Sequence, residues 1–190
     1  MSSNIFFTSD THWYHTNILQ FCSQTRPCAT VGEMNERLIY QWNRTVPKNG
    51  TVYHLGDVTF SSKPEQLEAI VSQLNGTIHL ILGNHDYAIR KSDRLRGLFA
   101  SVSDYKRINI NKRAVIACHY PIRSWDMQHH GSYHVYGHCH GALEHTPYGK
   151  SMDVGIDARP NGDMSPWSYE EIDEILSNRT NVNSDVNSSL

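Results

Sequence analysis

Short apolar runs alternate along this chain with polar clusters that carry Asp, Asn and His. Asn4 to Ser9, Thr51 to Leu55 and Thr77 to Leu82 are each apolar on both sides, the pattern of strands buried on two faces. Between them lie segments of helical period. Met34, Leu38, Ile39, Trp42 and Val46 share one face of a helix expected over 32–46, with Thr30 and Glu33 placed as a capping box. Leu67, Ile70, Val71 and Leu74 share a face of a second helix that opens at Pro64. Strand, helix, strand at these lengths implies parallel neighbours joined by right-handed crossovers. Shorter helices are expected over 16–22 and 92–99.

The second half changes character. Val102 to Ile110 and Arg113 to Cys118, joined by Asn111-Lys112, form the pattern of an antiparallel hairpin. Short strands are expected over 133–136 and 151–156. Ser168 and Glu171 form a capping box for a final helix through Leu176. Residues 1–176 therefore make one domain, and 177–190, rich in Asn and Ser, a disordered tail.

Composition adds boundaries. At 190 residues, 38% apolar and 19% charged, the chain suits one soluble domain. A net charge of -2 gives no broad basic field, so a nucleic-acid partner is not favoured, and no apolar run spans a membrane. Met1-Ser2-Ser3-Asn4 lacks a signal-peptide pattern, and a cytoplasmic location is expected. The four cysteines form no C-x-x-C pair and are expected as free thiols, those of Cys118 and Cys139 turned toward the core. The twelve histidines are the anomaly. His54 and His79 lie within strands and are expected to be packed or hydrogen-bonded. His129, His130 and His134 are expected at the surface.

The remaining histidines gather where strands end. Asp10 and His12 follow the first strand, Asp57 the second, and Asn84, His85 and Asp86 the third. His119 closes the hairpin, and His138 and His140 follow the next strand. Alone, each segment reads as an ordinary turn. Together they offer seven donors besides His85 and Asp86, more than one ion needs, which points to two divalent metals sharing a carboxylate. Asp, Asn and His together suit Mn²⁺, Fe²⁺, Zn²⁺ or Ni²⁺, with Mn²⁺ preferred.

Asp10-x-His12, Gly56-Asp57, Gly83-Asn84-His85-Asp86, His119 and Gly137-His138-x-His140 resemble, in order, the motifs of the calcineurin-like metallophosphoesterases. The context looks most like the small stand-alone bacterial and phage members. The resemblance implies a four-layer αββα sandwich of two mixed β-sheets flanked by helices, an α/β fold. It implies that Asp10, His12, Asp57 and His140 hold one metal and Asp57, Asn84, His119 and His138 the other. A water activated between them would attack phosphorus in line, and His85 would assist the leaving oxygen. Two positions depart from the family's protein phosphatases. Phe60 stands where they carry an Asp that orients the catalytic His, and Ser61 where they carry a phosphate-binding Arg. Asp86 is the remaining candidate partner for His85. His15, Arg26 and Arg123 are candidate phosphate contacts, and Tyr120 and Trp125 candidate stacking surfaces. The expected substrate is a small phosphodiester of nucleotide or cyclic type. A phosphomonoesterase on the same site, or a scaffold of the same fold, are the alternatives. Oligomeric state is left open.

Overall fold

A computed structural model describes residues 4–182. Two mixed sheets pack face to face, flanked by helices. The first contains β1 (Ile5–Thr8), β2 (Thr51–His54), β3 (Thr77–Ile81), β4 (Ser101–Ser103) and, at its edge, β9 (Trp167–Ser168). Its order is β4-β3-β2-β1-β9, with β1 to β4 parallel and β9 antiparallel to β1. The second contains β5 (Tyr105–Ile110), β6 (Arg113–Cys118), β7 (Tyr133–Tyr136) and β8 (Ser151–Asp153) in that order. Only β5 is antiparallel there.

Alternation along β1 explains why the sheets stack. Phe6 packs into an outer cluster with Val52, Ile78 and Leu80, against Met34, Leu38 and Trp42 of α2 (Val31–Thr45) and Leu67 and Ile70 of α3 (Pro64–Val71). Phe7 points the other way, between the sheets, with Leu55, Ile81, Val115, Ala117, Val135 and Met152. Ile172 and Leu176 of α6 (Tyr169–Ser177) join that inner cluster. Both faces of the first sheet are thus covered, as its near-continuous apolar strands require. On the outer side of the second sheet lie two loops, 119–132 and 140–150. There Trp125 sits 5.3 Å from the ring of His134.

Register brings the strand ends level. Thr8 pairs with His54, and His54 with Leu80, so the turns after β1, β2 and β3 emerge together. In the second sheet, the Gly137 N–H donates to the His119 carbonyl (2.9 Å), which aligns the turns after β6 and β7. A parallel bridge between Ser9 and Gly155 joins the sheets at this edge.

Several elements differ from expectation. The arm expected over 102–110 breaks at Asp104: β4 completes the first sheet and β5 starts the second. The bend at Asp104, tied to Arg90 at 2.6 Å, carries the chain between sheets. The helix expected over 92–99 shrinks to α5 (Asp93–Arg96), preceded by an unexpected α4 (Tyr87–Lys91), while α1 spans only Ile18–Phe21. The strand expected over 151–156 stops at Asp153, and the two-residue β9 was too short to read. The Ser168–Glu171 capping box forms in full. At Thr30 only half forms: its hydroxyl accepts from the Glu33 N–H, while the Glu33 carboxylate takes the Ala29 N–H instead. Within the segment read as a tail, Arg179 donates to Glu144 at 2.8 Å and to the Ser151 carbonyl. Residues 183–190 of that segment lie outside the described residues. No helix among the described residues is long and apolar enough to cross a membrane.

Candidate metal centre

The level strand ends put ligand-type side chains from both sheets into one cavity edge. Asp10, His12, Asp57, His138 and His140 all have positive φ, between 47° and 69°. Left-handed backbone is uncommon outside glycine and costs on the order of 1 kcal/mol per residue. Its concentration at these positions marks turns shaped for what their side chains hold. Two glycines permit the close approach. A Cβ on Gly83 would lie 2.2 Å from Asp57 Oδ1, and one on Gly137 2.4 Å from Asp10 Oδ2.

Asp57 occupies the centre. Its Oδ1 accepts the His85 backbone N–H (2.8 Å). Its Oδ2 lies 3.8 Å from His12 Nε2, 3.6 Å from His119 Nε2 and 3.9 Å from His85 Nε2. These gaps are long for hydrogen bonds. They approach the roughly 3–3.5 Å that separates two atoms bonded to one ion at about 2.1 Å each. Among the described residues three groups have the spacing of metal ligands: Asp10, His12 and His140; Asp57, His119 and His138; and Cys22, His140 and Asp157, which shares His140 with the first.

The chemistry of the first group fits a divalent cation. Asp10 Oδ1 and both ring nitrogens of His12 are buried without a hydrogen-bond partner among the described residues. Such orphans are costly unless something absent from a bare chain satisfies them. Burial pushes the Asp10 carboxyl up to about 8 and, with a further push from Arg26, holds the His12 ring down to about 2. A cation between them would favour the carboxylate and the neutral ring together.

Hydrogen bonds select the ligating atoms. The Leu55 carbonyl, 2.6 Å from His119 Nδ1, can only accept, so that nitrogen carries the proton and Nε2 faces Asp57 with a lone pair. Asn84 Oδ1 lies 3.0 Å from the same Nε2, a second acceptor that a cation would satisfy. His140 Nδ1 donates to Asp157 Oδ2 (2.7 Å), leaving Nε2 for a ligand. Burial opposes charge on His140, but its bonds to Asp157 and Cys22 overcome that and hold the metal-free ring at about 10.

Asp157 is the residue the sequence reading missed. Arg26 grips it through Nε (2.9 Å) and Nη2 (2.6 Å), and the Thr25 hydroxyl adds a third bond at 2.5 Å. The same guanidinium donates to the carbonyls of Asp10 (2.6 Å) and Thr11 (3.1 Å). Arg26 is only 1% exposed, which corrects its reading as a phosphate contact: every group it offers is committed inside the protein. Through Asp157 it locks the Asp10–His12 turn to His140.

Asp86 also has a role other than the one considered. Its carboxylate accepts the backbone N–H groups of Asp57, Val58 and Gly83, at 2.8–2.9 Å, and so staples two ligand turns together. His85 is packed instead by Phe60, with ring centroids 4.5 Å apart, and remains exposed. Phe60 also stacks on His15 at 3.7 Å, which places His15 at the rim. Arg123 is exposed on the 119–132 loop. Tyr120 is exposed and meets the His138 ring at 4.9 Å, whereas Trp125 is buried and bonds Ser132.

His54 and His79 are hydrogen-bonded within their strands, to Thr11 and Ser101. His134 is not at the surface: it is buried beneath the 119–132 loop, bonded to the Ile116 carbonyl and the Ile122 N–H. Cys118 and Cys139 are free but only half-buried, because Cys118 ends its strand and Cys139 sits in a turn.

A family model of the calcineurin-like phosphoesterase superfamily domain matches residues 4–150. The chain belongs to that superfamily. An uncharacterised protein of Methanocaldococcus jannaschii is 32% identical, over 80% of this chain and 81% of its own. The gene 66 protein of Mycobacterium phage L5 is 29% identical, over 82% and 87%. A protein of unknown function from Aquifex aeolicus shares the fold, with a TM-score of 0.68, 24% identity and coverage of 90% and 98%. As a calcineurin-like phosphoesterase the chain falls among enzymes that generally use divalent metals, and its two Asp/His groups are suited to them.

Proposed function

We propose that this phosphoesterase is a two-metal phosphodiesterase acting on a small nucleotide-type or cyclic diester. The observation that carries the reading is the orphaned donor set: Asp10 Oδ1 and both His12 nitrogens are buried, and His12 Nε2 lies 3.8 Å from Asp10 Oδ1 and 3.8 Å from Asp57 Oδ2. Asp10, His12 and His140 would hold one divalent ion; Asn84, His119 and His138 would hold the other; Asp57 would serve both. Mn²⁺ suits this mixture of carboxylate, amide and imidazole donors, with Fe²⁺, Zn²⁺ and Ni²⁺ as chemical neighbours. When bound, such ions supply a water nucleophile at neutral pH and neutralise charge on phosphorus.

The chain's own residues do the rest. Asn84, His85 and His138 are exposed while Asp10 and His12 are buried, so the diester meets the centre from the Asn84–His138 side. His85 stands over that side, fixed through its backbone to Asp57 and packed by Phe60. From there its imidazole donates a proton to the departing oxygen. No carboxylate besides Asp57 lies within ion-pair distance of His85 among the described residues, so aromatic packing orients it. His15, beneath Phe60, and Arg123 are the outer groups available to a substrate phosphate.

The test is a paired assay of metal-free and Mn²⁺-loaded protein on bis(p-nitrophenyl) phosphate and p-nitrophenyl phosphate. Hydrolysis that needs Mn²⁺ and favours the diester is expected. Equal turnover with and without metal would sink the two-metal reading, and preference for the monoester would move the enzyme to the phosphomonoesterases.

A further inference from the structure

A cleft of about 420 Å³ opens on the outer side of the second sheet, beside the metal centre. Ile122 and Arg123 form one wall, Leu143 and Tyr148 the other, and Tyr136 contributes from the strand between. Both walls grow directly out of ligand turns. Arg123 lies four residues after His119, at most about 14 Å along the chain, and Leu143 three after His140. Tyr120, exposed and edge-on to His119 and His138, directly precedes Pro121 of the cleft lining.

The walls are held in place without a ligand. The Ile122 N–H donates to His134 Nε2 at 3.1 Å. The opposite loop is pinned through Glu144, which accepts from Tyr136 Oη, the Asp153 N–H and Arg179. The cleft is therefore preformed, a property of binding sites.

Its chemistry is selective. Most of its walls are aromatic or aliphatic, with one cation. The Arg123 guanidinium lies 5.9 Å over the Tyr148 ring and has no carboxylate partner among the described residues. An arginine held against an aromatic face keeps its N–H edge free, and that edge fits a phosphate. The scissile phosphate already has its place at the metals. A second anion site in a cleft with largely apolar walls calls for a second phosphate with an aromatic ring between.

We infer that this cleft is a nucleoside subsite: the base packs beside Leu143 and Tyr148, and Arg123 takes the next phosphate. The inference rests on the phosphodiesterase reading and names its substrate class, a dinucleotide-sized diester with an additional terminal phosphate. A net charge of -2 and one arginine in the cleft lining among the described residues favour a short molecule over a long strand.

The test uses Mn²⁺-loaded wild type, Arg123→Gln and Tyr148→Ala on TpT, pTpT, TpTp, a thymidine oligonucleotide and bis(p-nitrophenyl) phosphate. One of pTpT and TpTp should exceed TpT in kcat/KM by about ten-fold. Arg123→Gln should abolish that advantage, through KM. Tyr148→Ala should lower the ratio of dinucleotide to aryl diester turnover by about five-fold or more. Equal kcat/KM for the three dinucleotides in wild type, or an advantage that survives Arg123→Gln, would overturn the subsite. An oligonucleotide turned over better than the best dinucleotide would overturn its size. If no diester is hydrolysed the phosphodiesterase reading fails by itself. Calorimetric binding of pTpT and TpTp to wild type and Arg123→Gln then still decides the cleft: a ten-fold loss supports it and equal affinity overturns it.

Discussion

The two ligand groups around Asp57 are built differently. Asp10 and His12 are sealed at 0% and 2% exposure, and the Arg26–Asp157 pair clamps their turn to His140. On the other side Asn84 and His138 face solvent, and only His119 is buried, anchored to the Leu55 carbonyl. On the proposed two-metal reading, one half would be a socket that retains an ion and the other a face that meets substrate, where incoming oxygens complete a coordination shell. Asp57 belongs to both, so the contrast can be tested by damaging the shared residue, then each half, then a buried group in neither.

The largest effect is expected from the shared residue. Asp57→Asn should empty both halves and lower turnover about a thousand-fold or more, with metal per chain read by elemental analysis. Retention of full metal content would break the bridging assignment. His85→Ala should keep metal content at the wild-type level and cost about 10²–10⁴ in kcat on a poor leaving group. A smaller loss on a p-nitrophenyl leaving group would sharpen its role as acid, and wild-type turnover on both would remove it from the chemistry.

The halves separate at Asp157. Asp157→Asn keeps the shape but removes the charge behind His140, and should weaken the sealed half by about 10–100-fold in metal affinity. A two-step metal titration should show one step moved and the other kept. Movement of both steps together would mean the halves do not act separately.

The smallest effect comes from His134, which belongs to neither half. Burial lowers its ring to about 4, from an ordinary 6.5. Between those values the unfolded chain binds a proton that the folded chain refuses. The contribution is fully present above pH 6.5 and lost as pH falls toward 4, up to about 3 kcal/mol. Urea unfolding of His134→Asn should show a flatter dependence on pH over that window than wild type. Parallel dependences would mean that His134 is not kept neutral by its surroundings.

The ligand turns were legible because each follows an apolar run directly, and parallel strands that start level end level. Gly83 and Gly137 stood out for the same local reason. Arg26 stood out only as a phosphate contact and Asp157 not at all, since their pairing joins positions 131 residues apart. A signal was present even so: Gly155-Ile156-Asp157 repeats the glycine-then-carboxylate pattern of Gly56-Asp57 just past another strand. His134 misled because its environment is set by a loop that folds over the strand, and no periodicity encodes that. The break at Asp104 escaped for a related reason: a single bend residue separates two extended runs that belong to different sheets.

The left-handed backbone at Asp10, His12, Asp57, His138 and His140 has an evolutionary consequence. Glycine at any of these positions would relax the chain while removing a ligand. Backbone ease and side-chain chemistry therefore pull in opposite directions at these turns, the trade-off expected where a strained site is kept for its function.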